Sequence, residues 1–275
     1  MANEPRSLVR RTLRILETVK DAPTAGLTLS EISRRSGVPL TTTHRIVGEL
    51  RDWGALERDE AGEYRIGLRL WEVTAVTPRT EGLQRVALPF MQDLFETTRR
   101  GVHLAVREKD KVVFVECFLS PDTAADRARV GGRYALHATA VGLVLLAHAP
   151  SELRERVIKG PLVAFTPRTY TRERELRQAL ADIRRSGYAI SDRQIHPEYA
   201  SVAAPVFGPS NTVTAALSVI VPHAESHGPS LVHLVQATAR GISRALGAGG
   251  GHTGGSHTGG SQNGIHASSA GRKNG

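Results

Sequence analysis

Residues that could meet a phosphate backbone or a base edge cluster on one stretch of this 275-residue chain, Val38-Pro39-Leu40-Thr41-Thr42-Thr43-His44-Arg45-Ile46-Val47-Gly48-Glu49-Leu50. If that stretch is helical, Thr43, Ile46, Val47 and Leu50 recur at i, i+3, i+4 and i+7 and form an apolar stripe. At about 100° per residue the opposite face then carries Thr41, Arg45, Gly48 and Asp52, with Thr42 and His44 beside them. An arginine fork suits guanine or a phosphate, and threonine hydroxyls suit phosphate oxygens and base edges. The free N–H groups and dipole of a helix start also favour a phosphate. Arg58 or Arg65, a little further on, could touch flanking backbone. The competing reading of the same residues is an ordinary surface helix with a solvated Arg45, and Asp52 on that face is unfavourable beside phosphate.

The elements needed to position this face can be read around it. Val9, Leu13, Leu16 and Val19 fall at helical spacing in LVRRTLRILETVK. Thr28-Leu-Ser-Glu31 has the form of a capping box opening a second, short helix, which stops at Ser36-Gly37. The third helix runs from Val38-Pro39 to about Trp53 and ends at Gly54. Leu56–Arg58 and Tyr64–Ile66, joined by Asp59-Glu-Ala-Gly62, make a two-stranded ribbon. Helix, glycine turn, helix and hairpin are the outline of a winged helix-turn-helix.

Other chemistry is thinly represented. His103, His137, His148 and His196 form no His-x₃-His or His-Glu-x-x-His pair, so core or cap roles are expected rather than metal ligation. No nucleophile elbow or phosphate-binding loop occurs, and no catalytic residue, metal or cofactor is expected. Cys117, the single cysteine, reads as a buried apolar residue in a strand and fits a reducing cytoplasm.

Composition sets the outer bounds. At 40 % hydrophobic and 5 % aromatic, the chain can bury one or two cores. Its longest uncharged apolar run, residues 138–149, is too short for a bilayer span, and the charged N-terminus does not read as a secretory leader. The net charge of +9 divides as +2 in residues 1–80, +5 in 81–246 and +2 beyond, so bulk charge alone is weak support for nucleic-acid binding. From residue 247 the chain is glycine-rich and repeats HTGGS at 252 and 257, a composition expected to be disordered.

Residues 81–246 alternate helical and strand patterns. Helices are expected from Leu83 to about Arg99, Ala138 to His148, Arg172 to Arg185 and Pro229 to Leu246. Strands are expected at Val102–Arg107, Lys111–Phe118, Val202–Phe207 and Thr212–Val221. The pattern is that of an α+β sensor-like domain.

The segments GLTLSEISRRSGVPLTTTHRIVGEL and YRIGLRL, then LHATAVGLVLLA, GYAISD and SVAAPVFGPSNTVTAALSVIVP, in that order, resemble the IclR family of bacterial transcription regulators across residues 5–247. The resemblance implies a winged helix-turn-helix at 5–67 and a linker helix at 68–81. It places a GAF-like α/β effector-binding domain at 82–247, with the disordered tail over 248–275. It further implies a homodimer or homotetramer on a palindromic double-stranded DNA operator, with Val9, Leu13 and Leu16 partly in a subunit contact. The DNA-contacting set is then Thr41, Thr42, His44, Arg45 and Arg58. Carried over position by position, the effector-facing residues are Ala140, Val141, Ser191, Asp192, Ser201, Ser218 and Ile220, around a small carboxylate or aromatic acid. The chain departs from the family pattern at Arg193-Gln194 and Glu198, where paired acids and a glycine are frequent. Ile220 replaces a frequent hydroxyl residue and Leu40 a common lysine.

The expected function is a cytoplasmic, nucleoid-associated transcription regulator, more often a repressor, whose operator affinity responds to that acid. Two rivals stand beside it: an enzyme acting through residues 81–246, and a sequence-indifferent, nucleoid-type DNA binder relying on charge.

Overall fold

The computed structural model describes residues 7–22, 26–75, 78–121, 129–225 and 228–249. The chain divides into two compact units, the division falling between Gly82 and Leu83. The expectation of disorder beyond residue 249 lies outside the described residues.

The first unit contains α1 (Leu8–Lys20), α2 (Leu29–Ser36), α3 (Leu40–Trp53), the antiparallel pair β1 (Leu56–Arg58) and β2 (Tyr64–Ile66), and α4 (Leu68–Ala75). The Thr28 hydroxyl accepts the Glu31 N–H at 3.4 Å while the Glu31 carboxylate accepts the Thr28 N–H at 3.0 Å, closing the capping box at the start of α2. Gly37, at φ 65°, takes the left-handed turn out of α2. Both helices then clamp the turn: Ser33 from α2 and Thr43 from α3 each donate to the Val38 carbonyl, at 2.8 and 3.1 Å. The core beneath is Ile15, Val19, Leu27, Ile32, Val38, Ile46, Val47, Leu56 and Tyr64. Leu50, expected in the buried stripe of α3, is only half-buried. In α1 the buried residues are Ile15 and Val19, whereas Val9 and Leu13 are 66 % and 54 % exposed. Of the spacing-derived stripe of α1, Val19 and the half-buried Leu16 thus join the core, while Val9 and Leu13 form a second, exposed apolar face.

The second unit follows α5 (Pro78–Thr98), which straddles the division. It comprises β3 (Gly101–Glu108), β4 (Lys111–Phe118), β5 (Arg133–Ala135), α6 (Ala140–Ala147), α7 (Ser151–Ile158), α8 (Glu173–Ser186), β6 (Ala189–Asp192), β7 (Tyr199–Phe207), β8 (Val213–Pro222) and α9 (Pro229–Ala245), with a 3-10 turn, His223–Glu225, before α9. The six strands form one antiparallel sheet in the order β5-β4-β3-β8-β7-β6. Period-two alternation gives it two apolar faces. Val102, Leu104, Val202, Leu217 and Val219 pack against α5 and α9. The other face is paved with small residues, Ala105, Ala189, Ala203 and Ala216, and this lets α6 lie close and bury all eight of its residues, with α8 packed beside it. This is the expected GAF-like α/β arrangement.

Helix α6 begins two residues later than its apolar run, because Thr139 caps it: the Thr139 hydroxyl accepts from Gly142 N–H at 3.0 Å. Position 142 admits only glycine, since a Cβ there would stand 2.5 Å from Thr139 Oγ1 and 2.6 Å from the Leu136 carbonyl. The short elements α7, β5 and β6 were not among the expected helices and strands.

Candidate functional site

Two surfaces can act on partners, one in each unit. In the first, α3 begins at Pro39 without a side-chain cap, so the first N–H groups of the helix stay available at its tip. Thr41, His44 and Arg45 are exposed beside that tip, and Thr42 is half-buried. Gly48, one turn on, leaves open space around its Cα. Arg45 pairs with Glu49 at 2.6 Å, one turn along the same helix. Both side chains are more than half exposed, so the pair is weak and a phosphate or guanine can replace the carboxylate. Asp52, the acid that would repel a phosphate, is held by Arg51.

The wing uses its arginines differently. Arg58 lies over the Tyr64 ring, 5.6 Å from its centroid, and donates from Nε to the Gly62 carbonyl at 3.2 Å. Arg65 pairs with Asp59 at 2.9 Å. Arg58 therefore supports the turn of the wing, and only its remaining N–H groups face outward.

In the second unit a cavity of about 600 Å³ lies on the α6 face of the sheet, within the ordinary range of small-molecule sites. Six of the seven residues expected around it, Ala140, Val141, Ser191, Ser201, Ser218 and Ile220, line it. They converge because register places them so: Ser191, Ser201 and Ile220 are successive cross-strand partners on β6, β7 and β8. The Ser191 hydroxyl donates to the Ala138 carbonyl at 2.8 Å, tying the chain just ahead of α6 to β6. Thr139 consumes the Gly142 N–H, while the N–H groups of Ala140 and Val141, in the first turn, have no acceptor within the helix.

Asp192 is the exception. Strand alternation turns it to the opposite face from Ser191, and its carboxylate engages Arg193 Nε and Nη2, each at 3.1 Å, and His223 Nδ1 at 2.6 Å. Burial works against the charge there, but Arg193 and His223 outweigh it and hold the carboxyl below its ordinary range. Arg193 is thus engaged with its neighbour rather than with the cavity.

Sequence reasoning missed the other half of the wall, which includes His103, Phe114, Tyr134, Ile195, His196 and Tyr199. His103 was expected in a core role and is fully buried, yet it also borders the cavity; burial pushes its pKa down to about 4. The connection from β6 to β7 brings Ile195 and His196 to the wall. It is pinned where Thr166 donates to the Arg193 carbonyl and Thr169 to that of Gln194, both at 2.6 Å. Only the period-two pattern of β3 could have pointed to His103, and that needs the strand order as well. His137 instead meets the Val163 carbonyl at 2.9 Å, and burial lowers its pKa against that bond. Among the described residues no group of three His, Cys, Asp or Glu side chains could hold a metal ion, and no helix is long and apolar enough to cross a membrane.

A winged helix-turn-helix followed by an α/β domain of this topology defines a DNA-binding transcription regulator. Residues 8–60 match the model of the IclR helix-turn-helix domain, and residues 76–244 match that of the bacterial transcriptional regulator IclR C-terminal domain. The chain belongs to the IclR family. The HTH-type transcriptional regulator KipR of Bacillus subtilis (strain 168) is 29 % identical over 251 residues, 90 % of this chain and 99 % of its own length. The glycerol operon regulatory protein of Streptomyces coelicolor is 31 % identical over 230 residues, 81 % of this chain and 90 % of its own. An IclR homolog from Microbacterium hydrocarbonoxydans, solved in complex with 4-hydroxybenzoate, superposes with a TM-score of 0.78 at 36 % identity, covering 87 % of this chain and 99 % of that one. These relatives are regulators, and the enzyme reading of residues 81–246 falls with that.

Proposed function

We propose that this regulator is a repressor, dimeric or tetrameric, whose operator affinity falls when a small aromatic carboxylate fills the cavity of the second unit. The working division is 5–67 for operator binding, 68–81 for the linker and 82–247 for the effector. Thr41, Thr42, His44 and Arg45 meet the DNA. The observation that carries the reading is the cavity wall. Two helix-start N–H groups and the hydroxyls of Ser191, Ser201 and Ser218 stand among apolar and aromatic side chains. The helix-start N–H groups, the Ser201 hydroxyl and the helix dipole can hold a carboxylate, Ser191 bracing the site by its bond to the Ala138 carbonyl, and burial holds the ring. The complex of the Microbacterium relative with 4-hydroxybenzoate points to the same class of ligand. The exposed Val9 and Leu13 of α1 supply an apolar face for a second copy.

The experiment is a gel shift on the region upstream of the gene, repeated against random DNA at fixed salt, with benzoate and 4-hydroxybenzoate titrated into the complex. Release of specific DNA by an acid, lost in Ser201→Ala while acid-free DNA binding persists, is the expected outcome. Equal affinity for random DNA would instead establish the sequence-indifferent binder. Tighter binding with acid would reverse the sign of regulation.

A further inference from the structure

Besides Tyr134, Thr139, His196 and Tyr199, the cavity carries two sets of polar groups on the strands of its floor. At one end are Ser191, bonded to the Ala138 carbonyl, its register partner Ser201, and the first N–H groups of α6. At the other end is His103 on β3, directly opposite Ser218 on β8. Strands β7 and β8 lie between β6 and β3, so three interstrand spacings, about 14 Å, separate Ser191 from His103, and two separate Ser201 from His103. That span admits one aromatic ring with a hydrogen bond at each extremity. Ile195, Tyr199 and Ile220 contribute apolar wall to the same cavity.

The His103 ring is fixed by edge-on packing against Phe114, with centroids 5.1 Å apart. It is fully buried, and burial lowers its pKa to about 4, so at neutral pH the imidazole is uncharged. A neutral imidazole can donate or accept a hydrogen bond but cannot balance a carboxylate. None of the described residues lining the cavity is a lysine or arginine. We infer that His103, beside Ser218, is a specificity-determining residue that reads a neutral hydroxyl at the end of the aromatic acid remote from its carboxylate. The inference rests on the cavity being the carboxylate site proposed above.

Calorimetric titration of the full-length protein with 4-hydroxybenzoate, benzoate and terephthalate tests it. The wild type should bind 4-hydroxybenzoate about tenfold tighter than benzoate, the size of one good hydrogen bond. Terephthalate, with a second carboxylate at that end, should bind more weakly than benzoate. His103→Phe should keep benzoate affinity within about threefold, since the ring volume is conserved, and abolish the preference for the hydroxyl. His103→Gln, which restores a hydrogen-bonding group, should recover part of it and decides the matter should the phenylalanine variant bind neither acid. An unchanged preference in His103→Phe, a preference absent from His103→Gln as well as from wild type, or tight terephthalate binding overturns the assignment while leaving the cavity reading intact. Failure of all three acids to bind the wild type overturns both.

Discussion

Arg45 illustrates how a single side chain can be ready for DNA while making an intramolecular contact. Its guanidinium rests on Glu49, an exposed pair of small intrinsic worth, so exchanging carboxylate for phosphate or guanine costs little. Arg45→Ala should weaken operator binding by about 1–3 kcal/mol without altering oligomeric state, measurable by fluorescence anisotropy and sedimentation. Unchanged affinity would remove Arg45 from the interface. Arg58 shows the converse: stacked on Tyr64 and bonded to Gly62, it serves the wing. Asp192 and Ser191 show how much one step along a strand decides. The family resemblance could name both for the cavity, but only the register shows that the first faces away, held by Arg193 and His223.

At the level of elements, stability at the two helix starts can be tested separately. Thr28→Ala removes the hydroxyl of the α2 capping box and should destabilise the first unit by about 1 kcal/mol in thermal unfolding. The Thr28 backbone and side-chain bonds hold the Glu31 carboxyl below its ordinary range. The contribution of this box is therefore complete above the carboxyl's unfolded-state pKa and is lost as pH falls through the folded value. The destabilisation caused by Thr28→Ala should accordingly shrink in acid. At α6, Gly142→Ala drives a methyl into Thr139 Oγ1 and the Leu136 carbonyl. The expected result is loss of acid binding by calorimetry together with a lower melting temperature of the second unit. These starts were legible in the sequence because capping chemistry is local: Thr28 and Glu31, Gly37, Gly54 and the hairpin turn each signal within four residues. The strands β5 and β6, three and four residues long, and α7 carry too few repeats for periodicity to register. The His103 end of the cavity was illegible for a different reason. It exists only once β3 is placed beside β8, a pairing between residues more than a hundred positions apart.

Across the whole molecule, an effector acts on DNA only through a coupling free energy, and that coupling is reciprocal. If the aromatic acid lowers operator affinity by a given factor, typically 5–150-fold, saturating operator DNA must lower affinity for the acid by the same factor. Calorimetry of the acid with and without operator checks this; unequal factors at equilibrium would mean that DNA release has another cause. One feature of the second unit bears on how such a regulator acquires new inducers. Helix α6 is buried along its whole length over a floor of alanines, so the cavity end at its start is close-packed masonry. Ile195 and His196 belong to a connecting segment, outside any helix or strand, and substitution there leaves that masonry untouched. Retuning the protein as a biosensor would therefore begin at these two positions, with the acid group of the proposed effector held constant.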